Sequence, residues 1–138
     1  MKCNVEKADV WMGMAEDKPG SFGGILAKLS KAGARLEFIF ARPAGKGKAV
    51  FFIAPLKGAA VLKAARSLGV KKINTFASLR IRGTDRAGLG SKIACAMGSQ
   101  GINLCGFSGM GIANQCLGYL GVDKKDVARA QRILKSIL

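Results

Sequence analysis

The sequence predicts an α+β fold built from two tandem βαββαβ units. Three observations carry that expectation. "DKPGSFGGILAKLSKAGARL" at 17–36 returns 68 residues later as "DRAGLGSKIACAMGSQGINL" at 85–104. Both copies run through alternating and helical hydrophobic periods in the same order. Glycines punctuate both copies at the same places, Gly20 with Gly88 and Gly33 with Gly101. A repeat of this kind defines the architecture before any local reading does.

Each copy opens on an alternating run, "ADVWMGMA" at 8–15 and "ASLRIRG" at 77–83. Period-two alternation predicts a half-buried strand. An Asp–basic–x–Gly turn follows, then a helix. Its apolar face is Phe22, Ile25, Leu26 and Leu29 in the first copy and Leu89, Ile93, Ala96 and Met97 in the second. Both sets keep the spacing of one helix face. Gly33 and Gly101 stand where a helix takes a left-handed C-terminal cap. Second strands are expected at 34–41 and 102–109, with Gly-rich turns at 42–48 and 110–115. Third strands follow at 49–55 and 116–122. The second helices align Val61, Ala65 and Leu68 with Ala130, Leu134 and Ile137, and Asp123 is the expected N-cap of the last one.

Units of about 65–70 residues bury little core alone, which gives a physical reason for two copies. The expected units are 1–72 and 73–138, with antiparallel sheets and helices on one side of each. "VKKINTF" at 70–76 supplies a fourth strand before the second copy, and "KCNVE" at 2–6 holds the same place before the first. Residues 2–6 are therefore expected to complete the sheet of the second unit.

The composition narrows function. With 138 residues, 49% hydrophobic and 22% charged, the chain reads as globular. No apolar run approaches the ~18–20 residues of a membrane span. The N-terminus has no apolar signal-like region, so a cytoplasmic location is expected. Cys3, Cys95, Cys105 and Cys116 form no CxxC pair and there is no histidine, so neither a zinc site nor a His-dependent triad is expected. The thiols are expected to be reduced and mostly buried. No metal, cofactor or catalytic constellation is predicted. The net charge of +15 points to anionic ligands, an acidic partner protein or nucleic acid.

Other motifs are weaker. "GLGSK" at 88–92 lacks phosphate-loop spacing, and "GMGIAN" at 109–114 lies between two strands rather than before a helix. "GKGK" at 45–48 reads as a hairpin. Trp11, Met12 and Met14 lie on the first strand and are expected in the core or a sheet interface. Phe38, Phe40, Phe51 and Phe52 could stack single-stranded nucleic acid from a βαββαβ sheet, but the aromatic signature of that class is missing and the cations are dispersed.

"EDKPGSFGGILAKLSKAGARL" and "TDRAGLGSKIACAMGSQGINL", each on a ferredoxin-like βαββαβ frame, resemble the ACT domain. The likeness covers nearly the whole chain as two copies, in the manner of small stand-alone tandem ACT proteins of bacteria and archaea. It implies a non-catalytic regulatory module that binds a free amino acid or similar small anion at an interface between units; a homodimer is expected because such sheets pair edge to edge or face to face. It implies a ligand against the first strand–helix loop, near Asp17, Gly20 and Ser21 or Asp85, Gly88 and Leu89. A helix start can receive a carboxylate there, and glycine allows close approach. The family's second-strand asparagine is Asn103 in the second copy and Arg35 in the first. That departure makes the second copy the better pocket. Asp-x-x-Gly also reads as a plain turn, Asn103 as a strand-edge residue and Arg35 as a solvated one.

Overall fold

The computed structural model describes residues 3–138. Two compact units emerge. The first is Asp9–Ile73; the second joins the segment ending at Ala8 to Asn74–Leu138. A division at 72/73 follows the repeat in chain order, whereas the fold gives residues 3–8 to the second copy. Lys2, the first residue of the expected N-terminal strand, lies outside the described residues.

The first unit contains β2 (Trp11–Glu16), α1 (Ser21–Lys31), β3 (Phe38–Gly45), β4 (Lys48–Ala54), α2 (Ala59–Ser67) and β5 (Lys71–Lys72). Its sheet order is β3-β4-β2-β5. The second unit contains β1 (Asn4–Ala8), β6 (Ala77–Thr84), α3 (Leu89–Ser99), β7 (Leu104–Ile112), β8 (Gln115–Val122) and α4 (Val127–Ile137). Its order is β1-β6-β8-β7. All pairings in both sheets are antiparallel.

β1 runs along β6 from Asn4↔Arg82 to Ala8↔Ser78. Val5 is buried in the second core, and Gln131 Nε2 of α4 donates to the Val5 carbonyl at 3.1 Å. The matching edge of the first unit has only two residues, Lys71 and Lys72.

Each sheet buries one face under its two helices. In the first unit Leu29, Phe51, Ile53, Val61 and Ala65 form the centre of the core. In the second, Leu79, Ile81, Ile93, Met97, Leu120, Ala130 and Leu134 do. The expected helical faces are the ones that go inward. Gly33 and Gly101 adopt φ +107° and +70°. Behind them Ala34 N–H donates to the Leu29 carbonyl at 3.0 Å and Ile102 N–H to that of Met97 at 2.9 Å, closing the helix ends.

The second and third strands of each copy extend further into the expected turns. β3 reaches Gly45 and β7 reaches Ile112. The hairpins need only Lys46 and Gly47, and Ala113 and Asn114, all at positive φ. Two such residues match the twist of the strands, so glycine-rich sequence beside them stays in the ladder. Asp123 caps a short 3-10 turn, Lys124–Asp126, accepting from Lys125 N–H at 3.1 Å, before α4 begins.

The cysteines depart from expectation. All four are free, yet Cys95 and Cys105 are exposed. Cys105 falls at the register shift between Leu104 and Gly106, which breaks the alternation that would have settled its face. Among the described residues no three His, Cys, Asp or Glu gather as a metal site, and no helix is long and apolar enough to cross a membrane.

Candidate functional site

In the second unit a cavity of about 240 Å³ opens where β6 turns into α3. Ile81 and Asp85 line it from β6 and its end, Leu89, Gly90 and Ile93 from α3. Phe107, Gly109 and Gly111 line it from β7, and Cys116 and Gly118 from β8. The register explains the grouping. Ile81 pairs with Gly118, and Gly118 with Gly109, so these three side by side face α3.

Asp85 is held by its backbone: its N–H donates to the Asn114 carbonyl at 2.8 Å. Its carboxylate lies over Gly111, where an added Cβ would come within 2.5 Å of Oδ2. Among the described residues that carboxylate has no hydrogen-bond or ion-pair partner. α3 starts at Gly88 with φ +83°, and no side chain caps it. Leu89 N–H donates to the Arg86 carbonyl at 3.3 Å, and the next N–H groups of the first turn are left for an acceptor by such a start. Burial, aided by the neighbouring Cys3 thiol, pushes the Cys116 thiol above its ordinary range. At neutral pH it is an uncharged part of the wall.

The same corner of the first unit differs. Its hollow of about 400 Å³ is lined by Met14, Ala15, Glu16, Lys18, Ser21, Ile25 and Lys48. Lys48 Nζ donates to Glu16 Oε1 at 2.6 Å and holds the Glu16 carboxyl below its usual range. Asp17 N–H donates to the Gly47 carbonyl at 2.9 Å, as Asp85 does to Asn114, and both aspartates are exposed, but Asp17 lies outside the lining of its hollow whereas Asp85 belongs to the lining of its cavity.

The structure thus places Asp85 and Leu89 at the second cavity and Ser21 at the first. Gly88 and Gly20 are the left-handed starts of α3 and α1, taking the capping place that an aspartate could have held. Asn103 is exposed, one residue before β7, and β7 reaches the Asp85 end only at Ile112. Within one unit Asn103 and Asp85 lie at opposite ends of the sheet. Arg35 is exposed in the connection before β3 and is not among the residues that line the first hollow.

Of the phenylalanines weighed as a stacking platform, Phe51 is 1% exposed in the core. Phe40 and Phe52 stack at 6.2 Å on the other face of that sheet, beside the exposed Met12 and Met14. Trp11 packs against the first core.

Sequence reading passed over Gly90, Gly109, Gly111, Gly118, Phe107 and Cys116. The signal was present: glycine inside a strand or helix marks a bulge or a close approach. Gly90, Gly109 and Gly111 fall in the two segments that imitate nucleotide loops, and Gly118 falls inside an expected strand.

No family model matches this chain, and no curated protein does. Solved structures do. Protein BT0572 from Bacteroides thetaiotaomicron superposes with TM-score 0.78 at 14% identity, over 96% of this chain and 89% of its own. The ligand-free regulatory subunit of aspartate kinase from Thermus thermophilus gives 0.67 at 15% identity, over 99% and 96%. E. coli aspartokinase III in complex with lysine and aspartate gives 0.55 at 14%, over 97% of this chain and 32% of the enzyme. The fold is that of a tandem pair of ACT units. The regulatory subunit of aspartate kinase from Thermus thermophilus has this same fold.

Proposed function

We propose that this chain is a non-catalytic regulatory module that binds a free amino acid in its second ACT unit. One observation carries the reading: the Asp85 carboxylate, without a partner among the described residues, lies at a cavity beneath the uncapped start of α3. A zwitterion suits that pairing. Its ammonium meets Asp85, and its carboxylate meets the first-turn N–H groups, which attract anions. The likeness to a regulatory subunit of aspartate kinase, and to an aspartokinase solved with lysine and aspartate, supports the same class of ligand.

Asn103 meets such a ligand only if another copy of the chain supplies it. A homodimer that joins ACT units of two copies does so, and ligand binding then favours the dimer. The signal passes onward through association, with the +15 charge drawing an acidic partner.

A thermal-shift screen of the intact chain against the twenty amino acids tests the reading. A ligand at 100 times its dissociation constant adds about 2.7 kcal/mol. At least one amino acid raises the melting temperature by a few degrees, and Asp85→Asn removes the shift. No response to any amino acid overturns the reading.

A further inference from the structure

The two units differ at the site by one exchange of bulk. In the first, Phe22 of α1 and Phe51 of β4 meet with ring centroids 5.0 Å apart, and Phe51 is sealed in the core. Strand pairing fixes the equivalents. Phe51 stands between Gly13 and Ala41 in its sheet; Gly118 stands between Ile81 and Gly109 in the other. Phe22 is two residues after the left-handed Gly20, and Gly90 two after the left-handed Gly88. Two rings packed at a tilt in one unit are thus two glycines in the other. Both glycines line the cavity.

The backbone gives no reason for several of these glycines. Gly90 and Gly109 have no positive φ, and a Cβ at either meets nothing within 4 Å. Glycine inside a helix costs about 1 kcal/mol relative to alanine. The first unit meets no such demand at Phe22. What the glycines preserve is space. That space is walled by Ile81, Leu89, Ile93 and the half-exposed Phe107, and its one charge is Asp85.

We propose that the second unit takes an amino acid with an aromatic side chain, its ring seated between Gly90 and Gly118 beside Phe107 and its ammonium on Asp85, while in the first unit Phe22 and Phe51 fill the place that ring would take and leave only the polar hollow beside Glu16 and Lys48. The proposal rests on the amino-acid reading above and adds which amino acids, and which unit. A cavity of about 240 Å³ suits a ligand of that size; drug-sized pockets run from ~300 to 1,000 Å³. Offset or edge-on contact with Phe107 favours an aromatic ring over an aliphatic chain.

Isothermal titration of the intact chain tests this with L-phenylalanine, L-tyrosine and L-tryptophan against L-alanine, L-serine and L-aspartate. One aromatic amino acid binds at least tenfold tighter than all three others, with a stoichiometry of one per chain. Gly90→Phe copies the first unit's plug, and Gly109→Val narrows the cavity from the edge strand. Each weakens aromatic binding at least tenfold while the melting temperature holds or rises. Binding of alanine, serine or aspartate as tight as the aromatics, still lost in Asp85→Asn, overturns this proposal and leaves the amino-acid reading standing. Aromatic binding that survives both variants, or two sites per chain, overturns it as well. Silence toward every amino acid overturns both.

Discussion

Gly13 and Phe51 sit opposite each other on β2 and β4, and a Cβ added to Gly13 would lie 2.4 Å from Phe51 Cζ. The first unit's core is built on that close approach. The second unit reverses the pair, with Ile81 large and Gly118 bare. The same ladder position therefore yields a filled core in one unit and an open cavity in the other.

Gly13→Ala forces the Phe51 ring out of place. Overpacking of this kind costs about 1–3 kcal/mol. Chemical denaturation should show the first unit weakened by that amount, with the second unit's transition unchanged.

Phe51→Ala removes a ring that is 1% exposed and leaves Phe22 without its partner. Loss of a buried phenylalanine costs about 3–5 kcal/mol. Hydrogen exchange should speed up across β2, β4 and α1.

Gly111→Ala acts on Asp85 rather than on the core. The new methyl stands 2.5 Å from the present position of Oδ2, so the carboxylate must swing away. Amino-acid affinity falls several-fold, measured by titration, while the melting temperature shifts little.

Lys48 holds the Glu16 carboxyl below its ordinary range. The folded value is the depressed one, so the pair's contribution is present above the unfolded carboxyl value of about 4.3 and is lost as pH falls through the lower folded value. NMR titration should place the Glu16 midpoint below that of an exposed glutamate, and Lys48→Ala should bring it back. Both side chains are largely solvent-exposed, so overall stability barely responds.

Cys116 reacts slowly with a maleimide at neutral pH, because burial keeps its thiol protonated. The exposed Cys95 and Cys105 react first. Ligand in the cavity slows Cys116 further and leaves those two unchanged.

Much of the fold was legible in residues. Leu29 and Met97 fall on periodic helical faces, Gly33 and Gly101 at left-handed helix ends, and each was readable from local spacing. Strand ends were less so, since Arg42, Pro43 and Ala44 read as turn while their backbone stays beside β4 with a bulge. Asp85 and Leu89, at a strand–helix junction, reached the lining of the cavity. Asn103 did not, because its motif lies one helix later in the chain and at the far end of the sheet.

The sequence by itself determined the repeat, the order of elements and the residues that turn inward, because periodicity and capping act over a few neighbours along the chain. The place of β1 in the second copy's sheet was itself an expectation of the repeat, and the pairing of Asn4–Ala8 with β6 agrees with it. Only the tertiary structure decided the register of those pairs, and that Phe22 and Phe51 in one unit stand where Gly90 and Gly118 stand in the other. Those are pairings between residues tens of positions apart. Strand register sets them, and register depends on which side chains must share one buried face.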